Sequence, residues 1–173
     1  MKVSSPQRPD LTQLNIRDLL VLEAAIVGEL RSRELVRTSN KPIGDIAEQV
    51  VLQARGGFLE ANSTKSHDVT DRDGRRVQVK ARSIRPGRKI GRFSPFRSFG
   101  FDSAVFLVFD AESFDLVDAR EAGPDEIVSI TKLSPHTNGR QPNLNQVSRI
   151  GKSVFPEMKA AYEALNRASR DTL

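Results

Sequence analysis

The chain has 173 residues, of which 38% are hydrophobic and 28% are charged, and its formal net charge at pH 7 is +5. This composition is ordinary for a globular protein with one substantial core, and the chain has no apolar run long enough to cross a bilayer. Cysteine is absent, which excludes disulfides and thiolate zinc sites, and the presence of only two histidines excludes a multi-histidine metal centre. The N-terminus lacks the apolar stretch of a signal peptide, so we expect a cytoplasmic protein without membrane association.

The positive charge is concentrated in one window of the chain. Between Arg75 and Phe101 there are nine basic residues and no acidic one, whereas the rest of the chain has 18 basic and 22 acidic residues. A local excess of positive charge suits a polyanion such as nucleic acid, and a solvated basic loop is the alternative interpretation. Charge alone does not separate these two interpretations.

Two helices are predicted ahead of any strand. Residues 1–10, which contain two prolines, are expected to form a flexible arm, and apolar residues at helical spacing predict a long helix over 11–35. Pro42 can open a second helix from residue 43 to about residue 54, which Gly56 and Gly57 would end. The expected order therefore begins with an arm, a long helix and a shorter helix.

A region rich in strands follows, and a closing helix ends the chain. Alternating or continuous apolar runs predict strands at 67–70, 76–82, 104–109 and 114–118, with a further short strand at 58–60. Residues 83–101 are a long connection, 120–130 are expected to form a short helix, 134–149 are polar, and 155–169 are expected to form the closing helix. This order predicts one α/β domain over residues 11–173, with a mixed central sheet flanked by helices.

The most informative segment is a hairpin around Asp73-Gly74, a dipeptide typical of tight turns. A three-residue loop over 72–74 would make residue 68 face residue 78 across the two strands. Alternation then places the apolar residues of the hairpin on one face, namely Val69, Val77, Val79 and Ala81. The opposite face carries the polar trio Asp68, Gln78 and Lys80. A two-residue turn would instead place Asp68 among the valines, so we predict the three-residue loop.

An acid, an amide and a lysine that converge in this way suit the cleavage of phosphodiesters. The Asp68 carboxylate and the Gln78 carbonyl oxygen are hard ligands for Mg²⁺ or Mn²⁺. Lys80 could orient the attacking water or stabilise the negative charge that develops on the phosphate. Glu48, midway along the second predicted helix, could supply the second carboxylate that the neutral glutamine does not.

The pattern of Asp68 followed by Gln78-Val79-Lys80 resembles the PD-(D/E)XK nuclease superfamily, in which an acid on one strand precedes an acid-x-Lys on the next. Glutamine stands where the common residue is acidic, and this resembles the Gln-x-Lys variant of Mrr-type restriction enzymes. Those enzymes also carry a helix glutamate ahead of the strands, which Glu48 would match. The resemblance implies a restriction-endonuclease-like core and a Mg²⁺-dependent endonuclease, with Glu48, Asp68 and Gln78 as metal ligands.

The chain as a whole also resembles an uncharacterised bacterial family over about residues 11–155. The shared features are a long first helix, a helix glutamate after a connector, the hairpin with Gln-x-Lys, and a segment that corresponds here to Pro135-His136-Thr137-Asn138. This resemblance implies a fold and a nuclease ancestry. It does not specify an activity or a substrate.

The long connection after the hairpin interleaves basic and aromatic residues. The basic residues predicted to bind nucleic acid are Arg82, Arg85, Arg88, Lys89, Arg92 and Arg97. The aromatic residues Phe93, Phe96, Phe99 and Phe101 could stack on exposed bases or anchor the loop to the core. No helix-turn-helix signature, dinucleotide-binding glycine motif or Walker loop is present, so nucleotide hydrolysis and dinucleotide redox chemistry are not expected.

Metal-dependent hydrolysis of nucleic acid, with DNA as the expected substrate, is therefore the function that the sequence favours. Two alternatives stay open: a catalytically inactive nucleic-acid-binding module on the same fold, and an interaction protein of the immunity or antitoxin type. A homodimer through the long first helix would provide the two sites that double-strand cleavage needs. Of the two histidines, His67 is expected to be structural, and for His136 a structural cap is favoured over catalysis.

Overall fold

The computed structural model describes residues 9–14, 16–37, 42–61, 66–85, 87, 91–111 and 113–171. The chain divides into two compact units, Met1–Asn40 and Lys41–Leu173. Most of the predicted N-terminal arm lies outside the described residues. The single domain over 11–173, the homodimer and the cytoplasmic location stay predictions.

The first unit contains helix α1, Ile16–Ser32, which is shorter than the helix predicted over 11–35. The Asp10 carboxylate accepts hydrogen bonds from the Thr12 backbone N–H at 3.0 Å and from the Thr12 hydroxyl at 2.7 Å. Leu14 N–H then donates to the Leu11 carbonyl at 3.2 Å. These bonds form a turn ahead of the helix, because a short polar side chain competes with the helical hydrogen-bond pattern. Across the described ranges, no helix combines the length and the apolar character needed to span a membrane.

The second unit is an α/β structure. Its first half contains helix α2 (Ile43–Arg55) and strands β1 (Phe58–Leu59), β2 (Val69–Thr70), β3 (Arg76–Ile84), β4 (Ser103–Asp110) and β5 (Leu116–Ala122). Its second half contains α3 (Pro124–Ile130), β6 (Leu133–Ser134), β7 (Gly139–Arg140), α4 (Leu144–Val147), β8 (Lys152–Ser153) and α5 (Phe155–Asp171). Six strands form one sheet in the order β1-β2-β3-β4-β5-β8, and β6 pairs with β7 separately. In the large sheet β3 and β4 are parallel and the other pairs are antiparallel, which confirms the predicted mixed sheet.

The two faces of the large sheet carry separate apolar clusters. The first core joins α2 and α5 to one face; its buried members include Ala47, Val50, Val51, Val69, Val77, Val79, Val105, Leu107, Phe109 and Met158. The second core covers the other face of β4 and β5; its buried members are Phe93, Phe96, Phe101, Ala104, Phe106, Val108, Ala122, Ile127, Val147 and Ile150. Strand β4 is buried on both faces, as its continuous apolar sequence predicts.

The hairpin between β2 and β3 has the predicted register. Val69 pairs with Val77 and Thr70 with Arg76, so residues 71 and 75 close the three-residue loop. Gly74 supplies the positive φ of 76° that the loop requires. Asp71 is buried, and its Oδ1 accepts hydrogen bonds from the backbone N–H groups of Asp73 and Arg75 at 3.0 and 2.9 Å. The carboxylate thus satisfies the loop backbone from inside and fixes its conformation.

Two predicted boundaries after β4 are wrong. The strand predicted over 114–118 runs instead from Leu116 to Ala122, because Phe114 has a positive φ of 58° and the residues up to Ala122 pair with β4. The helix predicted over 120–130 begins only at Pro124, whose fixed φ and missing N–H suit the first helical turn. The polar stretch 134–149 also contains structure that was not predicted, the second strand of the β6–β7 hairpin and helix α4.

A buried ion-pair network joins α2, β5 and α5. The two nitrogens Nη1 and Nη2 of Arg55 donate to the two carboxylate oxygens of Glu121 at 2.9 and 3.1 Å, and Arg55 also binds Glu157. The Ser103 hydroxyl donates to Glu121 at 2.8 Å. Burial alone would raise the pKa of Glu121, but the hydrogen bonds from Arg55 and Ser103 outweigh it and lower that pKa to about 2. Ionised Glu121 therefore stabilises the folded state.

We expect Glu121→Gln to lower the free energy of unfolding by roughly 3 kcal/mol at neutral pH, because the buried Arg55 guanidinium then keeps only one of its two carboxylate partners, Glu157. The folded-state pKa of Glu121 lies below its ordinary value of 4.5, so its contribution is full above about pH 5 and is lost as the pH falls towards 2. Urea unfolding between pH 7 and pH 3 should show a weaker acid dependence in the variant. The Glu157 side chain is 44% exposed, so Glu157→Gln should lower the free energy of unfolding by less than about 1 kcal/mol. Equal losses of unfolding free energy from both variants would contradict the assignment of Glu121 as the main partner of Arg55.

Candidate active site

The polar trio lies on the face of the sheet opposite α2. In the parallel register of β3 and β4, Gln78 pairs with Ala104 and Lys80 with Phe106, and both partners belong to the second core. Val77 and Val79 point the other way, into the first core. The side chain of Asp68 is hydrogen bonded to that of Gln78. The face predicted from the alternation of residues is therefore the one that the structure forms.

Asp68 connects the end of β2 to the middle of β3. Its Oδ2 accepts a hydrogen bond from Gln78 Nε2 at 2.5 Å and another from the backbone N–H of Val79 at 2.7 Å. The Asp68 N–H also donates to the Val77 carbonyl at 3.0 Å, so the residue binds β3 through its backbone as well as through its carboxylate, which satisfies the N–H of Val79. The side chains of Asp68 and Gln78 are thereby held together at one point on the sheet.

Lys80 is a largely enclosed cation. Its Nζ lies 4.8 Å from the centroid of the Phe96 ring and 3.4 Å from the carbonyl oxygen of Pro95. Burial lowers the pKa of Lys80; the negative charge of Asp68 raises it, and the positive charge of Arg97 lowers it further. A lysine with a depressed pKa that faces an aspartate is an arrangement common to sites that move protons or stabilise anions.

The oxygen ligands needed for a divalent cation are present in part. The ends of the Asp68 and Gln78 side chains are close enough for one ion to contact both, provided that the Gln78 amide rotates to present its carbonyl oxygen. In its present orientation the amide directs nitrogen, which cannot bind a cation, towards Asp68. Within the parts of the chain that the structure describes, no three histidine, aspartate or glutamate side chains converge as a metal centre. Asp68 and Gln78 thus fit two positions of a coordination sphere.

Glu48 lies on α2, whose neighbouring residue Ala47 is buried in the first core. Helix α2 therefore covers the face of the sheet opposite the one to which Gln78 and Lys80 project. Glu48 itself is half-buried. Its assignment as a metal ligand stays a prediction.

The basic residues predicted to bind nucleic acid have different environments. The Arg82 guanidinium is half-buried and donates to the backbone carbonyl of Arg92, so its first partner is the protein itself. Arg85, Arg92 and Arg97 are exposed, although Nη1 of Arg92 also donates to the Gln141 carbonyl at 3.2 Å. Arg97 is close enough to Lys80 to affect its pKa. Arg88 and Lys89 lie outside the described residues.

The phenylalanines of the same connection anchor it to the protein. Phe93, Phe96 and Phe101 are each at most 3% exposed, and Phe99 packs beside them. The ring centroids of Phe96 and Phe106 of β4 lie 5.9 Å apart, and the two rings pack edge to face. Of the two roles that the sequence left open, the structure therefore assigns anchoring to the three buried rings, which are not available to stack on bases.

A second polar network next to the trio was not predicted. The strand β1 pairs with β2, and beyond the paired residues the Glu60 N–H donates to the Asp68 carbonyl at 2.9 Å. His67 bridges the Glu60 carboxylate and the Ser66 hydroxyl, with Thr70 beside it. The sequence predicts the short strand over 58–60 but not its pairing with β2, which is what places Glu60 there. His136 is exposed in the turn between β6 and β7, and no role is assigned to it.

Comparison of the sequence with models of known protein families and with curated proteins gives no match. The assignment of the trio as an active site accordingly depends on its geometry and on the resemblance of its short motif.

We expect Lys80 to titrate at a lower pH than the other lysines, because burial and Arg97 outweigh the attraction of Asp68. Selective ¹³C labelling of lysine ε carbons, followed by NMR between pH 7 and pH 12, measures each midpoint, and Lys80→Arg identifies the resonance by its loss. Asp68→Asn should lower the Lys80 midpoint further, since it removes the opposing negative charge. A Lys80 resonance that titrates with the exposed lysines would contradict the described environment.

Proposed function

We propose that the chain is a metal-dependent phosphodiesterase that acts on nucleic acid, with DNA as the substrate. The observation that supports the proposal best is the joint position of a carboxylate, an amide and a cation on one sheet face. Asp68 and Gln78 are in hydrogen-bond contact, and Lys80 interacts electrostatically with Asp68. The segment 91–101, which carries exposed basic residues, borders this group through its contacts with Lys80.

Each member of the trio has a separate task in this proposal. A bound Mg²⁺ or Mn²⁺ would lower the pKa of its water and offset charge on the phosphate. Asp68 and Gln78 would hold that ion through oxygen atoms, with Glu48 as the further carboxylate that the resemblance implies. Lys80, held near Phe96 and away from bulk solvent, would position the attacking water or stabilise the charge that develops on the phosphate oxygens.

The exposed arginines favour an extended polyanion over a small phosphate ester. Arg92 and Arg97 both lie on the segment that borders the trio, and Arg85 follows the end of β3. These side chains can each contact one backbone phosphate, and such contacts position a nucleic acid without reading its sequence. The proposal therefore includes binding that depends strongly on salt and weakly on base sequence.

One observation favours a second candidate function, a catalytically inactive nucleic-acid-binding module. The Gln78 amide donates to Asp68 and so occupies a carboxylate oxygen that a metal would need. A neutral amide also contributes less to cation binding than the acidic residue common at this position. In this candidate the arginines retain their role and the trio is a hydrogen-bonded remnant of the site.

The first test compares the cleavage of supercoiled plasmid in Mg²⁺ and in Mn²⁺ by the wild type and by two variants. We expect Asp68→Ala and Lys80→Ala to lower the rate by at least 10²-fold, because they remove a metal ligand and a charge-stabilising group. Asp73→Ala provides a matched control, since this aspartate is exposed at the tip of the same hairpin. Equal residual rates in the wild type, Asp68→Ala and Lys80→Ala would indicate the binding module instead.

The second test measures the affinity for a DNA duplex as a function of salt concentration by fluorescence anisotropy. We expect Arg97→Ala to weaken binding at low salt and to reduce the slope of log K against log salt by about 1, as for the loss of one phosphate contact. Arg149→Ala is the control, because Arg149 is also exposed but lies after α4, outside the basic window. An absence of DNA binding by the wild type at low salt would overturn both candidates and favour a protein partner.

A further inference from the structure

A polar cleft of about 340 Å³ lies at the end of the large sheet where β3 and β4 begin and β5 ends. This volume is within the range of small-molecule sites, about 300–1,000 Å³. The charged part of its lining consists of three carboxylates, those of Asp102, Glu121 and Glu126, and two cations, those of Arg75 and Lys152. Of the described residues, those that line this cleft include no member of the trio, so it is a separate feature of the second unit.

Two of the three carboxylates are already bound by protein donors on both oxygen atoms. Asp102 accepts hydrogen bonds from the Arg76 backbone N–H at 2.8 Å and from the Arg76 guanidinium at 3.2 and 3.0 Å. Glu126 accepts from the backbone N–H groups of Gly123 and Gly151, each at 2.9 Å. These hydrogen bonds lower the pKa of Asp102 to about 2 and also lower the pKa of Glu126. Both carboxylates are therefore ionised at neutral pH and engaged by the protein.

The third carboxylate, that of Glu121, is satisfied from inside the protein. Its two oxygens accept hydrogen bonds from Arg55, and one of them also accepts from the Ser103 hydroxyl. On the cleft side, Arg75 Nη2 lies 3.9 Å from one oxygen and Lys152 Nζ lies 3.5 Å from the other. Both distances exceed the length of a charge-assisted hydrogen bond, about 2.7–2.9 Å.

The cleft therefore has hydrogen-bond donors to offer a ligand rather than acceptors. The side chains of Arg75 and Lys152 are 47% and 72% exposed, and a guanidinium and an ammonium carry five and three N–H donors respectively. Because Arg55 neutralises the buried Glu121, the positive charge at the mouth of the cleft is that of these two exposed cations. A ligand that complements this arrangement is an anion with several oxygen atoms.

We propose that this cleft binds the phosphate group of a small phosphate monoester, with Arg75 and Lys152 as the residues that contact it. Since both cations lie within 4 Å of the same carboxylate, one phosphate group can reach both. A guanidinium binds two phosphate oxygens side by side, and an ammonium binds as a point charge. The cleft holds roughly ten waters at about 30 Å³ each, which is more than a phosphate displaces, so an organic group fits beside it. This site does not depend on the proposed phosphodiesterase function.

The test is an NMR titration of the ¹⁵N-labelled protein with adenosine 5′-monophosphate, with inorganic phosphate and with adenosine. We expect the two phosphate compounds, but not adenosine, to shift the amide signals of Gly123 and Gly151, which line the cleft, in a saturable way. Arg75→Ala and Lys152→Ala should each weaken the affinity by about tenfold or more, because each removes one charge-assisted contact. Both side chains are exposed, and circular dichroism checks that the variants fold.

Matched controls remove exposed cations elsewhere. Lys132→Ala and Arg149→Ala should leave the affinity for adenosine 5′-monophosphate unchanged, since both residues lie outside the cleft. Arg97→Ala removes a cation of the basic window and should also leave it unchanged. This last variant separates the cleft from the surface proposed to bind nucleic acid.

Each outcome of the titration bears on the proposal. Saturable binding of adenosine 5′-monophosphate that both cleft variants weaken supports it, and binding of inorganic phosphate without the nucleotide identifies the free ion as the ligand of the same site. An absence of saturable shifts at Gly123 and Gly151 up to about 10 mM ligand, where a site with a Kd near 1 mM is mostly occupied, overturns it. Binding that Arg97→Ala abolishes and the cleft variants do not change also overturns it.

Discussion

The structure of the candidate site depends on one buried carboxylate, that of Asp71 in the hairpin between β2 and β3. Its hydrogen bonds to the N–H groups of Asp73 and Arg75 fix a three-residue loop, and the loop sets the register of the two strands. A shift of one residue would turn every side chain of β2 to the opposite face. With the observed register, Val69 enters the first core and Asp68 reaches Gln78. A turn residue with no proposed chemical role therefore determines whether the trio exists.

The two faces of the sheet differ in polarity. Towards α2 and α5 the sheet is mainly apolar, and the buried ion pair of Arg55 and Glu121 also lies on that side. Towards the other face, the apolar cover of Phe96 and its neighbours extends only as far as Lys80, and polar side chains continue across β2 to β1. Enclosing the Lys80 ammonium costs solvation free energy, and the burial of apolar side chains in the first core offsets that cost. Such a local cost next to a satisfied scaffold is typical of functional sites.

Much of the second unit could be predicted from the sequence because its signals are local. The turn dipeptide, the alternation in β3 and the continuous apolar run of β4 each encode a short-range preference, and the mixed sheet and the polar face follow from them. The missing parts depend on contacts between distant residues. Arg55 and Glu121 are 66 positions apart, and the pairing that extends β5 to Ala122 needs β4 in place. For Glu60 and His67, two-residue strands carry too little pattern to show which residues they bring together.

The segment that carries Arg92 and Arg97 is joined to residues 140–142 by backbone hydrogen bonds of the kind that pair β-strands. Phe96 exchanges backbone hydrogen bonds with Arg140 at 2.8 and 2.9 Å, and Phe93 N–H donates to Pro142 at 2.9 Å. Gly139 permits this approach, since a Cβ there would lie 2.6 Å from the Phe96 carbonyl oxygen. The backbone spacing between the two arginines is thus set before any ligand arrives. Under the proposed function, a polyanion that bound here would not need to order this backbone, so the conformational entropy lost on association would come mainly from the exposed arginine side chains.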